Sequence, residues 1–178
     1  MSSPVVLITG ALTGIGRATA LAFAHEGARV VISGRREEEG NKLLAEIRKL
    51  GAEAEFVRSD VRHEEVMRSL VDKTVERFGR LDVAVNNAGT EGVPGLVTEQ
   101  TAESYAATFD TNVLGTLLSM KHELRVILAQ GSGSIVNVSS TYGHTGAAGA
   151  CIYAASVQLR ALRSRQPLKW QVPACVSM

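Results

Sequence analysis

The chain has 178 residues, 45% of them hydrophobic and 21% charged, with a formal net charge of +1 at pH 7. That is enough for one domain with a proper core and short for two. The near-neutral balance gives no electrostatic drive toward nucleic acid or an anionic membrane, and no apolar run approaches the ~20 residues that span a bilayer. Val5-Val6-Leu7-Ile8 is short, apolar and β-branched, the pattern of a buried parallel strand. Ile15, Ala18, Thr19, Ala22 and Phe23 then recur with helical spacing and are expected to face a sheet, with Gly27 closing the helix. Val30-Val31-Ile32 is a second strand, and Leu43, Leu44, Ile47 and Leu50 mark a second helix ended by Gly51. Glu55-Phe56-Val57 is a weaker third strand, followed by a helix whose apolar face is Met67, Leu70, Val71, Thr74 and Phe78. Leu81 to Val85 reads as strand four, residues 99–129 as a long helical stretch, and Ile135-Val136-Asn137-Val138 as strand five. Strands and helices alternating at this pace predict a doubly wound parallel sheet.

Two cysteines, Cys151 and Cys175, form neither a CxxC pair nor a disulfide framework. The start, Met1-Ser2-Ser3-Pro4-Val5, lacks the basic-then-apolar pattern of a secretory signal. A reducing, cytoplasmic setting is expected. The histidines His25, His63, His122 and His144 show no metal-ligand spacing. The first three are expected on helix surfaces or in solvent. His144 and Cys151 fall near the chemistry described next.

Thr9-Gly10-x-x-x-Gly14-x-Gly16 lies between strand one and the first helix. Glycines there let the backbone turn tightly and approach a pyrophosphate, which a helix N-terminus stabilises through free N–H groups and its dipole. Such loops serve dinucleotides and other nucleotide-like ligands alike. After strand two, where dinucleotide folds often place an acid for the ribose hydroxyls, the chain has Gly34-Arg35-Arg36. Either the two arginines merely open a solvated loop, or Arg35 binds a 2′-phosphate and favours NADP over NAD. Asn86-Asn87-Ala88-Gly89 follows strand four, Ser139-Ser140 follows strand five, and Tyr153-Ala154-Ala155-Ser156 begins 13 residues after Ser140.

In order, spacing and placement on the strands, these motifs resemble the short-chain dehydrogenase/reductase family over residues 4 to 156. Asp60-Val61 and Asn112 also match its pattern. The resemblance implies a Rossmann-like α/β fold with strand order 3-2-1-4-5. It implies hydride transfer between NADP(H), or NAD(H), and an alcohol or carbonyl small molecule. Gly10, Gly14, Ile15 and Gly16 would line the pyrophosphate, and Arg35 would take the 2′-phosphate. Asp60 and Val61 would flank adenine. Asn86, Ala88 and Gly89 would shape the middle of the cleft. Ser140 would hydrogen-bond the substrate oxygen, Tyr153 would exchange the proton with it, and Asn112 would hold a water in the proton relay. Hydride moves at the carbinol carbon while a hydroxyl acid–base serves the oxygen, which explains these residue types.

The chain departs from the family where the lysine four positions after the tyrosine should stand: that position is Val157. The lysine binds the nicotinamide ribose and favours the phenolate. A phenol at its ordinary pKa near 10 is only ~0.1% ionised at neutral pH. The composition also breaks here. All 17 glycines lie at or before Gly149, and residues 157–178 carry four basic residues and no acidic ones. The family's sixth strand, Pro-Gly motif and seventh strand are not visible. In one shifted reading frame, with synonymous codons freely chosen, Leu168 to Met178 can be decoded as E-V-A-G-S-G-V-R-V-N, which resembles that sixth strand. Residues 157–178 are therefore expected to be an irregular, out-of-frame tail that leaves the edge of strand five bare. The alternatives are a non-catalytic dinucleotide-binding or subunit-interaction module and an inactive frameshift remnant. The family forms homo-oligomers partly through a helix missing here, which argues against an oligomer of this chain.

Overall fold

The structure, a computed structural model, describes residues 3–158 and 176–177. Strands β1 (Val5–Thr9), β2 (Arg29–Gly34), β3 (Ala54–Arg58), β4 (Val83–Asn86), β5 (Ser134–Ser139) and β6 (Val176–Ser177) form one parallel sheet in the order β3-β2-β1-β4-β5-β6. Helices α1 (Gly14–His25), α2 (Glu37–Lys49), α3 (Glu64–Phe78), α4 (Ala102–Phe109), α5 (Gly115–Gln130) and α6 (Cys151–Ser156) complete the architecture. β1 shows why the central strands are apolar throughout rather than alternating. Val5 and Leu7 pack with α3 and α5 residues such as Met67, Leu70 and Ile127. Val6 and Ile8 pack on the other face with α1 and α2 residues such as Ala20, Ala24, Leu43 and Ile47. Both faces are covered, so Val5 to Ile8 are apolar without alternation.

The α3 face is the predicted one: Met67, Leu70, Val71, Thr74 and Phe78 are all buried. The α1 face is not. Gly16, Ala20 and Ala24 point inward, whereas Ile15 is 46% exposed and Ala18 and Ala22 face solvent. α1 lies too close to the sheet for large side chains, so its buried stripe is made of small residues that hydrophobic periodicity underweights. Leu50 is likewise exposed, beyond the end of α2. His122 is also corrected: it is buried, with Nε2 lacking a hydrogen-bond partner and lying 3.5 Å from Glu64 Oε1.

The stretch predicted as one long helix is α4 and α5 joined by a π turn over Asp110–Leu114. The turn leaves Asn112 buried rather than on the surface. At the sheet edge, the expectation of a bare β5 is corrected over two residue pairs. Val176 pairs with Val138 and Ser177 with Ser139 in parallel. The open row of β5 backbone donors and acceptors supplies the reason, since any extended segment in reach can complete it. The rest of the out-of-frame reading concerns residues 159–175, including Cys175, which lie outside the described residues. Among the described residues, no helix is long and apolar enough to cross a membrane, and no group of His, Cys, Asp or Glu has the makings of a metal site.

Candidate active site

The register brings the motif-bearing turns together. Thr9 pairs with Asn86 and Asn86 with Asn137, so the turns after β1, β4 and β5 open at the same, C-terminal edge of the sheet, where open α/β sheets bind ligands. The first two turns are stitched to each other. Asn87 Nδ2 donates to the carbonyls of Thr9 (3.3 Å) and Gly10 (3.0 Å). The backbone N–H groups of Asn87 and Ala88 both donate to Thr9 Oγ1, at 3.2 and 3.3 Å.

This contact depends on glycine. A Cβ on Gly10 would lie 2.6 Å from Ala88 Cα, and one on Gly16 would lie 2.4 Å from both Asn87 Nδ2 and the Gly10 carbonyl oxygen. Gly14 has φ +53°, the left-handed region, and a Cβ there would meet nothing within 4 Å. The loop is thus compressed where it touches the second turn and open where α1 begins.

Around the stitched turns run two cavities sharing Asn87, Ala88, Gly89 and Thr90. The larger, about 520 Å³, is also lined by Gly10, Arg35, Arg36, Asp60 and Val61. Arg35 and Arg36 are exposed there, and among the described residues no carboxylate pairs with either. Asp60 instead grips Arg62, with Nε–Oδ1 at 2.9 Å and Nη2–Oδ2 at 2.6 Å. Those hydrogen bonds pull its carboxyl down to about 2, against a smaller opposing effect of burial.

The smaller cavity, about 230 Å³, is lined by Ile15, Glu91, Asn112, Ser139, Tyr153 and Val157 among others. Tyr153 sits on α6 with its ring edge-on to Tyr142, centroids 6.1 Å apart at 78°. Val157 caps α6, is buried, and borders this cavity. Glu91 is the only charged residue among those described in its lining, so among the described residues no cation lines the cavity beside the phenol.

Asn112 is a clamp. Its Oδ1 accepts from the Thr90 N–H (2.8 Å), and its Nδ2 donates to the Thr90 carbonyl (2.9 Å) and to Ser156 Oγ (2.8 Å). Its own carbonyl accepts from Thr116 Oγ1 at 2.7 Å.

The sequence-predicted residues therefore divide. Gly10, Arg35, Asp60, Val61, Ala88 and Gly89 border the larger cavity, and Ile15, Asn112 and Tyr153 the smaller, which Ala88 and Gly89 share. Gly14 and Gly16 shape the turn without lining either cavity. Ser140 does not line the cavity beside Tyr153. Its Oγ accepts from the Tyr142 N–H at 3.2 Å, capping the short turn Thr141–Gly143, while neighbouring Ser139 lines the cavity and donates to the Val157 carbonyl at 2.6 Å. His144 is exposed and outside both linings.

Asn86 is placed beneath the cleft, not in it. It is buried, and its Nδ2 donates to Glu123 Oε2 and Asn137 Oδ1, each at 3.0 Å. The strand pleat explains the exchange: Asn86 still belongs to the sheet, so Asn87 is the asparagine that faces the ligand side. Sequence reasoning also missed Glu123, fully buried on α5 with its carboxyl pushed up to about 7 by burial. Its spacing from Met120 and Ile127 puts it on the apolar stripe, a signal that would have found it.

A parallel sheet flanked by helices, with a glycine turn and a tyrosine-bearing cavity at the strands' C-terminal edge, defines a Rossmann-like α/β domain. Within that class the chain belongs to the short chain dehydrogenase family, whose model matches residues 4–158. It is 44% identical over 153 residues to an uncharacterized oxidoreductase of Thermotoga maritima, covering 85% of this chain and 59% of that protein. It is 39% identical over 152 residues to a 3beta-hydroxysteroid dehydrogenase of Mediterraneibacter gnavus, covering 85% and 55%.

Among solved structures, an actinorhodin polyketide ketoreductase with NADPH superposes with a TM-score of 0.86 at 38% identity, over 90% of this chain and 64% of that one. A short chain dehydrogenase/reductase from Burkholderia phymatum in complex with NAD superposes at 0.91 and 29%, over 99% and 64%. The chain spans less than two thirds of the length of these relatives.

Proposed function

We propose that this chain binds a nicotinamide dinucleotide, NADP(H) in preference to NAD(H), as part of an oxidoreductase that acts on an alcohol or carbonyl small molecule. The observation that carries the reading is the glycine-compressed double turn bordering a cleft that has Arg35 unpaired at one end and Tyr153 at the other. The glycine turn and the start of α1 would take the pyrophosphate, Arg35 the 2′-phosphate, and Asp60 with Val61 the adenine. Ala88 and Gly89 would shape the middle of the cleft, and Asn112 would hold the Thr90 segment against α6. When bound, the nicotinamide supplies or accepts the hydride. Tyr153 would exchange the proton with the substrate oxygen, and Ser140 would orient that oxygen once its hydroxyl leaves the Tyr142 N–H.

NADPH on the polyketide ketoreductase and NAD on the Burkholderia protein support a dinucleotide and leave the choice between them to Arg35. The partner is a small molecule, with no nucleic acid or membrane surface, in a reducing cytoplasmic setting that suits the free Cys151. Val157 favours a second reading: binding without turnover, in a chain whose residues from Val157 onward are read out of frame. DNA downstream of the Ser156 codon that encodes no Pro-Gly motif or seventh strand in the restored frame would refute the out-of-frame part.

Fluorescence titration with NADPH, followed by NADPH oxidation with a panel of aldehydes and ketones, separates the readings. Saturable binding with turnover supports the oxidoreductase, and saturable binding alone supports the binding module. No binding refutes both.

A further inference from the structure

Among the described residues, Glu123 is the only carboxyl group wholly withdrawn from solvent. It receives a single hydrogen bond, from Asn86 Nδ2. Its Oε1 has no partner, and neither has Asn86 Oδ1. The second Asn86 N–H goes to Asn137 Oδ1, whose own Nδ2 lies 3.2 Å from Met120 Sδ. β4 and β5 bring no charged residue to this pocket. α3 brings Glu64 and Asp72, which pair with Lys121 and Arg125 on the exposed side of α5. His122 turns toward Glu64, and Asp110 on the π turn is exposed. Among the described residues, therefore, nothing compensates a negative charge on Glu123. A neutral acid with one hydrogen bond costs far less to bury than a carboxylate, which needs several donors or a cation.

Asn86 is also the last residue of β4, and the next two residues make the stitches to Thr9 and Gly10 that close the glycine turn. An unbroken series of contacts thus runs from Glu123 through Asn86 and the Asn87–Ala88 backbone to the cleft. We propose that Glu123 is a positioning residue for this cleft: as a neutral acid it stays in the dry pocket and holds Asn86, and with it the Asn87–Gly89 turn, whereas its ionisation, whose lost hydration one Asn86 hydrogen bond does not offset, draws the carboxylate toward water, opens that turn and weakens dinucleotide binding. The cofactor half of the proposal rests on the dinucleotide reading above; the turn half does not. Burial raises the Glu123 carboxyl to about 7, which puts the release near neutral pH.

The test uses the full chain, Glu123→Gln as the neutral isostere and Glu123→Leu as the variant without hydrogen bonds. NADPH affinity is titrated between about pH 6 and 8.5, where the wild-type Kd should rise by up to about tenfold per pH unit above the midpoint. E123Q should hold the low-pH affinity throughout, apart from the shared titration of the cofactor phosphate, and E123L should bind weakly at every pH. In parallel, hydrogen exchange of the Asn87 and Ala88 amides is followed without cofactor. Their protection should fall in the same window in the wild type and stay constant in E123Q.

Identical exchange profiles for wild type and E123Q overturn the proposal, whatever NADPH does. Absence of NADPH binding at any pH overturns the dinucleotide reading and the cofactor half with it, while the exchange profiles still decide the turn. A pH-independent Kd in a wild type that does bind also overturns the cofactor half.

Discussion

Replacing Gly16 by alanine tests whether the cleft depends on the compression of the two turns. The new Cβ would sit 2.4 Å from Asn87 Nδ2 and 2.4 Å from the Gly10 carbonyl oxygen, with Ala11 Cα at 3.0 Å. The Asn87 amide could swing away, but the Gly10 and Ala11 atoms are backbone and can yield only if the turn opens. Overpacking of this kind costs ~1–3 kcal/mol. Displacing Asn87 from the Thr9 and Gly10 carbonyls removes two hydrogen bonds worth about 1 kcal/mol each. Against this, alanine in place of glycine within a helix returns about 1 kcal/mol.

The net loss is ~2–4 kcal/mol, which at roughly 2–4 °C per kcal/mol for a chain of this size lowers the melting temperature by about 4–16 °C. NADPH affinity should fall at least about tenfold, since 1.4 kcal/mol of turn distortion suffices. Thermal melts and NADPH titration measure both. Gly14→Ala is the control: its Cβ meets nothing, so only the left-handed backbone is strained, at ~1–2 kcal/mol, and the Asn87 stitches survive. A Gly16→Ala protein that melts and binds like the wild type would refute the argument that close approach, and not flexibility, is what glycine supplies here.

Arg35→Ala should weaken NADP(H) binding by roughly tenfold or more, from the ~1.5–3 kcal/mol of a charge-assisted contact, and leave NAD(H) nearly unchanged. Equal losses for the two cofactors in parallel titrations would remove Arg35 from the 2′-phosphate. Val157→Lys puts an ammonium at the cavity beside Tyr153 and should raise the rate of NADPH oxidation with a carbonyl substrate by about 10²-fold, the lower end of what acid–base catalysis contributes. An unchanged rate would place the obstacle elsewhere.

Glu123 predicts a pH-dependent stability. The folded carboxyl ionises near 7 and the unfolded one near 4.5. As pH rises the unfolded chain loses its proton first, so stability falls between about pH 4.5 and 7 and levels off above. The total is on the order of 3 kcal/mol at 1.36 kcal/mol per pKa unit. Urea unfolding at pH 5 and pH 8 should show this loss in the wild type and not in Glu123→Gln; a parallel loss in both would assign it to other groups.

Several features of the chain are fixed by local chemistry and could be read directly. Val5–Ile8 and Val30–Ile32 are apolar without alternation because a parallel sheet is covered on both faces, and the α3 stripe repeats at helical spacing because one face of that helix is buried. Thr9–Gly16 and Asn86–Gly89 lie at strand ends because turns need glycine and polar residues, and their order along the chain carries the family resemblance. What lay beyond reach depends on distances between segments far apart in sequence. α1 approaches its sheet so closely that Gly16, Ala20 and Ala24 are its buried residues, which a scale of hydrophobicity ranks below Ile15. The pleat at the end of β4 sends Asn86 down to Glu123 and leaves Asn87 to bind the glycine turn. The π turn withdraws Asn112 and aims it at Thr90 and Ser156. Two residues near the C-terminus pair with β5, a contact no pattern in the tail foretold. Each was settled by which backbone, side chain or strand edge happened to lie across the gap, and that is information only tertiary packing holds.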